Sequence, residues 1–436
     1  MTADPRIILA ETPMSRAQIT AVIICVFLTA LDGFDVLAIS FASPGIAEEW
    51  GINRAALGIV LSIELIGMAV GSVLLGNLAD RFGRRPTILV CLFLMTIGMF
   101  LATQAVGVIT LSAIRLVTGL GIGGMLASTN AMVAEYSNTR HRNLAVALMA
   151  AGYPFGAIIG GSISAQLLTA FDWRSVFLLG SFATAIFIPI VWFLLPESIS
   201  YLMRSRPADA MAKINRIMQS MGHRAVESLP PLPTHMPKAG ITQLFRPGLA
   251  RTTMLLTLAY FTHIMTFYFI LKWIPKIVVD MGFSPTAASN VLVWANVGGA
   301  GGALLLSLLT KRFNVRALVV GALILAAIMV AVFGTLQSDL TQLTVVASIA
   351  VFFTNSAIVG LFAILAQSFP TEVRAGGTGF VIGVGRGGAA SGPIVAGFLF
   401  AHGHGLQAVA TIMAMGSLLA AVALMLVRYR ESEDFG

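Results

Sequence analysis

The sequence predicts an all-α integral membrane protein with twelve transmembrane helices in two six-helix repeats. Three observations carry this reading. Hydrophobic residues fill 57% of the 436 positions and charged residues 11%, and mean hydropathy is +0.89, outside the range of soluble domains. Apolar stretches long enough to cross roughly 30 Å of hydrocarbon recur from end to end. Finally, "LADRFGRRPTILV" and "LTKRFNVRALVVG" occupy matching places in the two halves, with Leu78, Arg81, Phe82 and Arg85 aligning on Leu309, Arg312, Phe313 and Arg316.

Twelve spans are expected near 18–42, 55–78, 86–105, 108–134, 143–169, 174–195, 252–275, 286–309, 316–336, 341–367, 375–400 and 406–428. Runs such as "TILVCLFLMTIGMFLA" are apolar on every side and lack the period-2 alternation of a membrane barrel, so each span should be a helix with its backbone satisfied internally. The first span is too long, and too acidic at Asp32 and Asp35, to be a cleaved signal peptide. Three domains follow: a bundle over 1–196, a linker over 197–250 and a bundle over 251–436. In the linker, "ADAMAKINRIMQSMG" can form an amphipathic surface helix, and the proline-rich "SLPPLPTHMPKAG" breaks helices.

A net charge of +8 could suggest nucleic acid as a partner. The basic residues are instead dispersed over alternate loops: Arg81, Arg84 and Arg85; Arg140 and Arg142; the linker; Lys311, Arg312 and Arg316; Arg374; Arg428 and Arg430. The positive-inside rule then places both termini in the cytoplasm of a bacterial-type cytoplasmic (inner) membrane, with lipid and no nucleic acid as surroundings. Cys25 and Cys91 both fall within spans and read as small packing residues rather than a disulfide framework.

Ionisable residues inside spans are expensive and therefore mark function. Asp32 and Asp35, in "ALDGFDVL", share one helix face near mid-depth of the first span, where insertion of a charged residue costs about 2.5–3.5 kcal/mol. Two carboxylates this close repel each other, which suits proton pick-up and release. The first and fourth spans run in opposite directions, so Arg115 should lie in the same layer as the two acids; it is the expected partner, either in a proton-sensitive pair or in a permanent structural one. Glu64 in the second span is a second candidate partner of Arg115, or a lining residue of the outer path. Glu135 ends the fourth span near Arg140 and Arg142 and is read as a gate-forming or titrating acid.

In the second half, Arg386 lies mid-span and needs an anion, which is either a substrate carboxylate held in a bidentate fork or an acid of the first half. His263, beside Tyr260, can donate to a ligand oxygen, shuttle protons or bond a neighbouring helix. Trp294, Asn296 and Asn355 supply further aromatic and polar lining for a mixed cavity. An enzymatic reading finds no constellation: His-Glu-x-x-His and Gly-x-Gly-Asp are absent, and His402-x-His404 in a short outer loop lacks further metal ligands. No metal and no cofactor other than protons is therefore expected. The glycines at 119, 121 and 124 and at 383, 385 and 388 satisfy a dinucleotide fingerprint, but no strand precedes them and they read as helix contacts.

"GNLADRFGRR", 76–85, resembles the loop signature of the major facilitator superfamily through Gly76, Asp80, Arg81, Gly83, Arg84 and Arg85. That resemblance implies a latch in which Gly76 permits close helix approach while Asp80 accepts bonds from Arg84 and faces the N-terminus of the eleventh span. Lys311 and Asn314 stand in the matching loop of the second half, so the latch should be asymmetric. "RLVTGLGIGGMLAS" and, more loosely, "GYPFGAIIGG" are similar to the family's fourth- and fifth-span motifs. Within the superfamily, "LDGFDV" and "WIP", 273–275, resemble the aromatic acid:proton symporters, with Lys272 where asparagine is usual. The resemblance implies a functional monomer that imports a benzoate-, hydroxybenzoate- or lignin-derived acid with protons by alternating access. Proton-coupled export of drugs or organic acids, and sugar or polyol symport, are the alternatives within the same superfamily.

Overall fold

The computed structural model describes residues 4–230, 241–336, 339–370 and 373–427. Part of the proline-rich linker, with Arg428 and Arg430, lies outside these residues. The described chain is helical, with no strand. A short helix α1, Pro5–Glu11, which the sequence reading did not anticipate, precedes six long ones: α2 Arg16–Trp50, α3 Arg54–Phe82, α4 Arg84–Ala102, α5 Val108–Tyr136, α6 Arg142–Leu167 and α7 Arg174–Leu194. The linker holds α8 Ile199–Ser205, α9 Ala210–Ser220 and a 3-10 turn Ile241–Phe245. Six long helices follow: α10 Ala250–Asp280, α11 Pro285–Leu309, α12 Val315–Phe333, α13 Leu340–Ser368, α14 Arg374–Ala401 and α15 Leu406–Leu426.

Eleven of these helices are long and apolar enough to span a membrane. The twelfth long helix, α14, has the length but is rich in glycine and carries Arg386. Large apolar side chains such as Phe93, Phe182, Phe193, Leu304 and Leu419 are exposed, as expected of helices facing hydrocarbon. α9 matches the amphipathic helix expected from the sequence: Ala210, Ile214 and Met218, four apart, are buried on one face. Helix starts follow local chemistry. Ser284 caps α11 through Ala287 N–H ahead of Pro285, Asn314 caps α12, and Asp339 caps α13.

Two compact units group the chain. One comprises residues 1–39, 63–167 and 174–236; the other comprises 40–62, 168–173 and 237–436. In the first, small residues let backbones touch. A Cβ on Gly67 would sit 2.3 Å from the Leu116 carbonyl oxygen, one on Gly119 2.2 Å from that of Glu64, and one on Gly71 2.1 Å from that of Leu120. Gly67 on α3 thus meets Gly119 on α5, with Gly71 against the Leu120 backbone and Gly123 against that of Met68 and Ser72, a small-xxx-small crossing on both helices. Gly156 of α6 meets the Ala30 carbonyl of α2 in the same way.

Gly119→Leu is accordingly expected to destabilise the protein by about 1–3 kcal/mol, the usual cost of overpacking a filled contact. Heating followed by size-exclusion chromatography in detergent reads this as earlier loss of the monodisperse peak. An unchanged melting profile would show that α3 and α5 do not meet at this glycine.

Candidate functional site

The α3–α5 crossing has a direct chemical consequence. Gly119 is one turn from Arg115 and lies against the backbone of Glu64, so the two charged side chains are brought side by side. Arg115 Nη2 pairs with Glu64 Oε1, and both side chains are wholly buried. The same nitrogen donates to the main-chain oxygen of Asp35 at 2.8 Å, Nη1 lies 3.0 Å from Met99 Sδ, and the Phe177 ring centroid is 5.4 Å from the guanidinium carbon.

Asp35 itself is fully buried, and neither carboxylate oxygen has a hydrogen-bond partner among the described residues. Its Oδ1 packs against the Cα of Gly180, where a Cβ would approach to 3.1 Å. Asp32, one turn earlier, is also buried and lies within electrostatic reach of the Cys91 thiol. The layer expected from helix direction is therefore present, with a different pairing inside it: Arg115 takes Glu64 as its ionic partner and touches Asp35 only through the main chain. The backbone contact between α3 and α5 decides this, because it fixes Glu64 closer to the guanidinium than any carboxylate on α2.

At the arginine-rich loop the partners also differ from those implied by the family signature. Gly83, at φ +111°, turns the chain so that the Arg84 and Arg85 backbone N–H groups donate to Glu197 Oε1 at 2.9 and 3.2 Å. A Cβ on Gly83 would lie 2.3 Å from Glu197 Oε2, so the glycine also makes room for this carboxylate. Burial raises the proton affinity of Glu197 above that of an ordinary glutamate, opposed by those N–H donors and by Arg85. Arg84 Nη1 lies 3.3 Å from Glu135 Oε1, and Ser198 Oγ donates to Glu135 Oε2 at 2.5 Å. Glu135 thus faces Arg84 rather than Arg140 and Arg142, and Asp80 pairs with Arg204 at 2.8 Å rather than with Arg84. A methyl on Gly76 would make only ordinary contact with Ala127; the tight approach belongs to Gly67 and Gly71. Glu197 was missed in the sequence because "PES" gives no hint of which helix end it caps. In the second half Asn314 caps α12 with its own side chain, bonding the N–H groups of Arg316 and Ala317.

In the second unit Tyr260 of α10 packs on α14, where a Cβ at Gly385 would fall 2.0 Å from its ring; Gly388 and Gly392 likewise touch the carbonyls of Phe261 and Met265. Arg386, half-buried, follows Gly385 and lies within electrostatic reach of Tyr260. Glu372, the acid nearest Arg386 in sequence, lies outside the described residues. His263 is fully buried with both ring nitrogens engaged, Nδ1 with Ser417 Oγ and Nε2 with the Thr354 carbonyl, each at 2.9 Å. Of the readings left open for it, the bond to neighbouring helices is the one formed: His263 joins α10, α13 and α15 and has no nitrogen left to donate to a ligand.

Asn296 donates to the Leu292 carbonyl and Asn355 to that of Gly299, and the Trp294 side chain is 58% exposed. Lys272 is fully buried. Near the far end of α10, Arg54 pairs with Asp280 at 2.9 Å and its guanidinium lies 5.0 Å from the Phe400 ring centroid. The cavity beside them, about 190 Å³, is below the roughly 300 Å³ typical of ligand sites. A larger open groove between α1, α2 and α6 contains none of the buried acids and is lined by Ile19, Ile23, Leu144 and Leu148.

Buried, paired ionisable groups at mid-helix inside a spanning bundle define a membrane transport protein, not an enzyme. The chain belongs to the Major Facilitator Superfamily, whose family model matches residues 25–295 and 256–435. It is 30% identical to a gallate transporter of Pseudomonas putida, over 95% of this chain and 92% of that protein. It is also 30% identical to the 4-hydroxybenzoate transporter PcaK of Acinetobacter baylyi, over 97% of this chain and 93% of that one. Among solved structures the fold matches the xylose transporter XylE of E. coli, with a TM-score of 0.75, 16% identity, and coverage of 97% of this chain and 100% of the other.

Proposed function

We propose that this protein imports an aromatic carboxylate together with protons across a cytoplasmic membrane, as a monomer with both termini inside. The observation that carries the coupling is Asp35, a carboxylate withdrawn from water with no hydrogen-bond donor among the described residues, beside a guanidinium already paired with Glu64. An ionised carboxylate in such a place is costly, and a proton removes the cost. The substrate class is supported by the two relatives named for gallate and 4-hydroxybenzoate, each aligned over more than nine-tenths of the chain.

The charge balance agrees with this reading. An acid anion entering against a negative interior loses about 2.3 kcal/mol per charge per 100 mV, which one accompanying proton cancels. In the cycle, Asp35 and Asp32 take up protons, Arg386 holds the substrate carboxylate with Tyr260 beside it, and Asn296, Asn355 and Trp294 line the path. Glu135 with Arg84, and Asp80 with Arg204, form the gating elements at the arginine-rich end, and protons are the coupling ion.

Purified protein in proteoliposomes, given an acidic exterior, is expected to concentrate radiolabelled gallate or 4-hydroxybenzoate and to leave xylose at equilibrium. Concentration of xylose instead, or proton-driven expulsion of either acid, would replace this reading by sugar symport or by export.

A further inference from the structure

We infer that Glu64 is the standing counter-ion of Arg115 and so reserves Asp35 for the transported proton. The inference rests on the proton-coupled reading above and assigns within it a positioning residue on α3.

Arg115 has acids on two helices within reach and divides its contacts between them unequally. Glu64 receives the ion pair, whereas Asp35 receives a hydrogen bond only at its main-chain oxygen, its carboxylate being left without a donor. The guanidinium has little freedom to change this. Nη1 rests on Met99, Nη2 is shared by Glu64 and the Asp35 carbonyl, and the ring of Phe177 covers the carbon.

The Glu64–Arg115 pair is also built into one helix contact. Gly119 and Gly67 bring the α5 and α3 backbones together at Glu64, so that crossing holds the two side chains within reach of each other. Asp35 sits on a third helix, α2, whose tight backbone contact is with α6 through Gly33 and Gly156.

Among the described residues, Asp32 on α2 lies one turn from Asp35 with Cys91 on α4 in its electrostatic reach, α6 brings the Tyr153 backbone against Gly33, and α7 brings Phe177 and Gly180. The arithmetic of charge is then simple. Glu64 and Arg115 neutralise each other as a pair, which leaves Asp35 to gain or lose a proton without having to break that pair. Without Glu64, the free positive charge would hold Asp35 ionised and oppose protonation.

Two experiments test this. In wild-type protein, a hydrophobic carbodiimide, which reacts with protonated carboxyl groups in apolar surroundings, is expected to modify Asp35 and not Glu64, as read by peptide mass spectrometry; modification of Glu64 would overturn the inference. In transport, Glu64→Gln is expected to move the pH of half-maximal acid-driven uptake at least one unit towards acid. The rate at neutral pH falls tenfold or more, and the substrate KM stays within twofold. Glu64→Asp restores the profile.

A folded Glu64→Gln protein with the wild-type pH profile, or one slowed equally at all pH values, would sink the idea. If Glu64→Gln does not fold, the charge-neutral double variant Glu64→Gln/Arg115→Gln decides: retained proton-driven accumulation supports the inference, and loss of it in folded protein refutes it. Should wild-type protein accumulate no aromatic acid, the proposed function falls, while the labelling pattern still judges Glu64 separately.

Discussion

Asp35→Asn is expected to abolish concentrative uptake while leaving substrate exchange intact. In the wild-type protein a gradient of one pH unit supplies about 1.4 kcal/mol per proton, enough for roughly a tenfold solute gradient if one proton accompanies one neutralised acid. The amide keeps the shape of the buried carboxyl and, like the protonated form, carries no charge. It mimics the loaded carrier permanently, so the accumulation ratio should fall to about one.

Counterflow, in which labelled acid exchanges for unlabelled acid across equal pH, needs no net proton movement and should persist. The contrast between the two assays separates uncoupling from simple loss of protein. Concentrative uptake by Asp35→Asn at the wild-type ratio would remove Asp35 from the coupling path.

Arg386→Ala should produce the second large effect, on affinity rather than on coupling. A bidentate guanidinium–carboxylate contact is a charge-assisted hydrogen bond pair, and such bonds contribute about 1.5–3 kcal/mol, or roughly ten- to a hundredfold in apparent affinity. The loss should be specific to the carboxylate: KM for 4-hydroxybenzoate rises by that factor, while inhibition by the matching neutral amide changes little. Arg386→Lys keeps the charge and loses the fork, and should fall between. Equal weakening of acid and amide would mean that Arg386 supports the helix rather than the ligand. The position of Tyr260 against Gly385, one residue earlier, gives the arginine a stiff neighbour and makes a structural contribution measurable by the same comparison.

The architecture was legible because hydrocarbon imposes it locally. Each span had to be an apolar run, several begin at arginines such as Arg84, Arg142 and Arg374, and the amphipathic α9 shows its buried face at 210, 214 and 218. The glycines of "RLVTGLGIGGMLAS" could be assigned to helix contacts for the same reason, since nothing else uses small residues in mid-membrane. α1 was not legible: seven residues carry too little periodicity, and its docking depends on Asn138 and Thr139, which bond the carbonyls of Thr12 and Ala10 more than a hundred residues away in sequence.

Sequence by itself determined that Asp32, Asp35, Glu64, Arg115 and Arg386 lie within spans and so must do something, because a charge in hydrocarbon has to be answered. Helix direction even placed Arg115 at the depth of Asp35, and the main-chain hydrogen bond between them agrees. Only tertiary structure decided which acid answers which base. Depth follows from counting along a helix, but pairing depends on how closely two helices approach and how they are rotated. Here Gly67 and Gly119 set that approach, giving Arg115 to Glu64, and the glycine at 83 gives the start of α4 to Glu197.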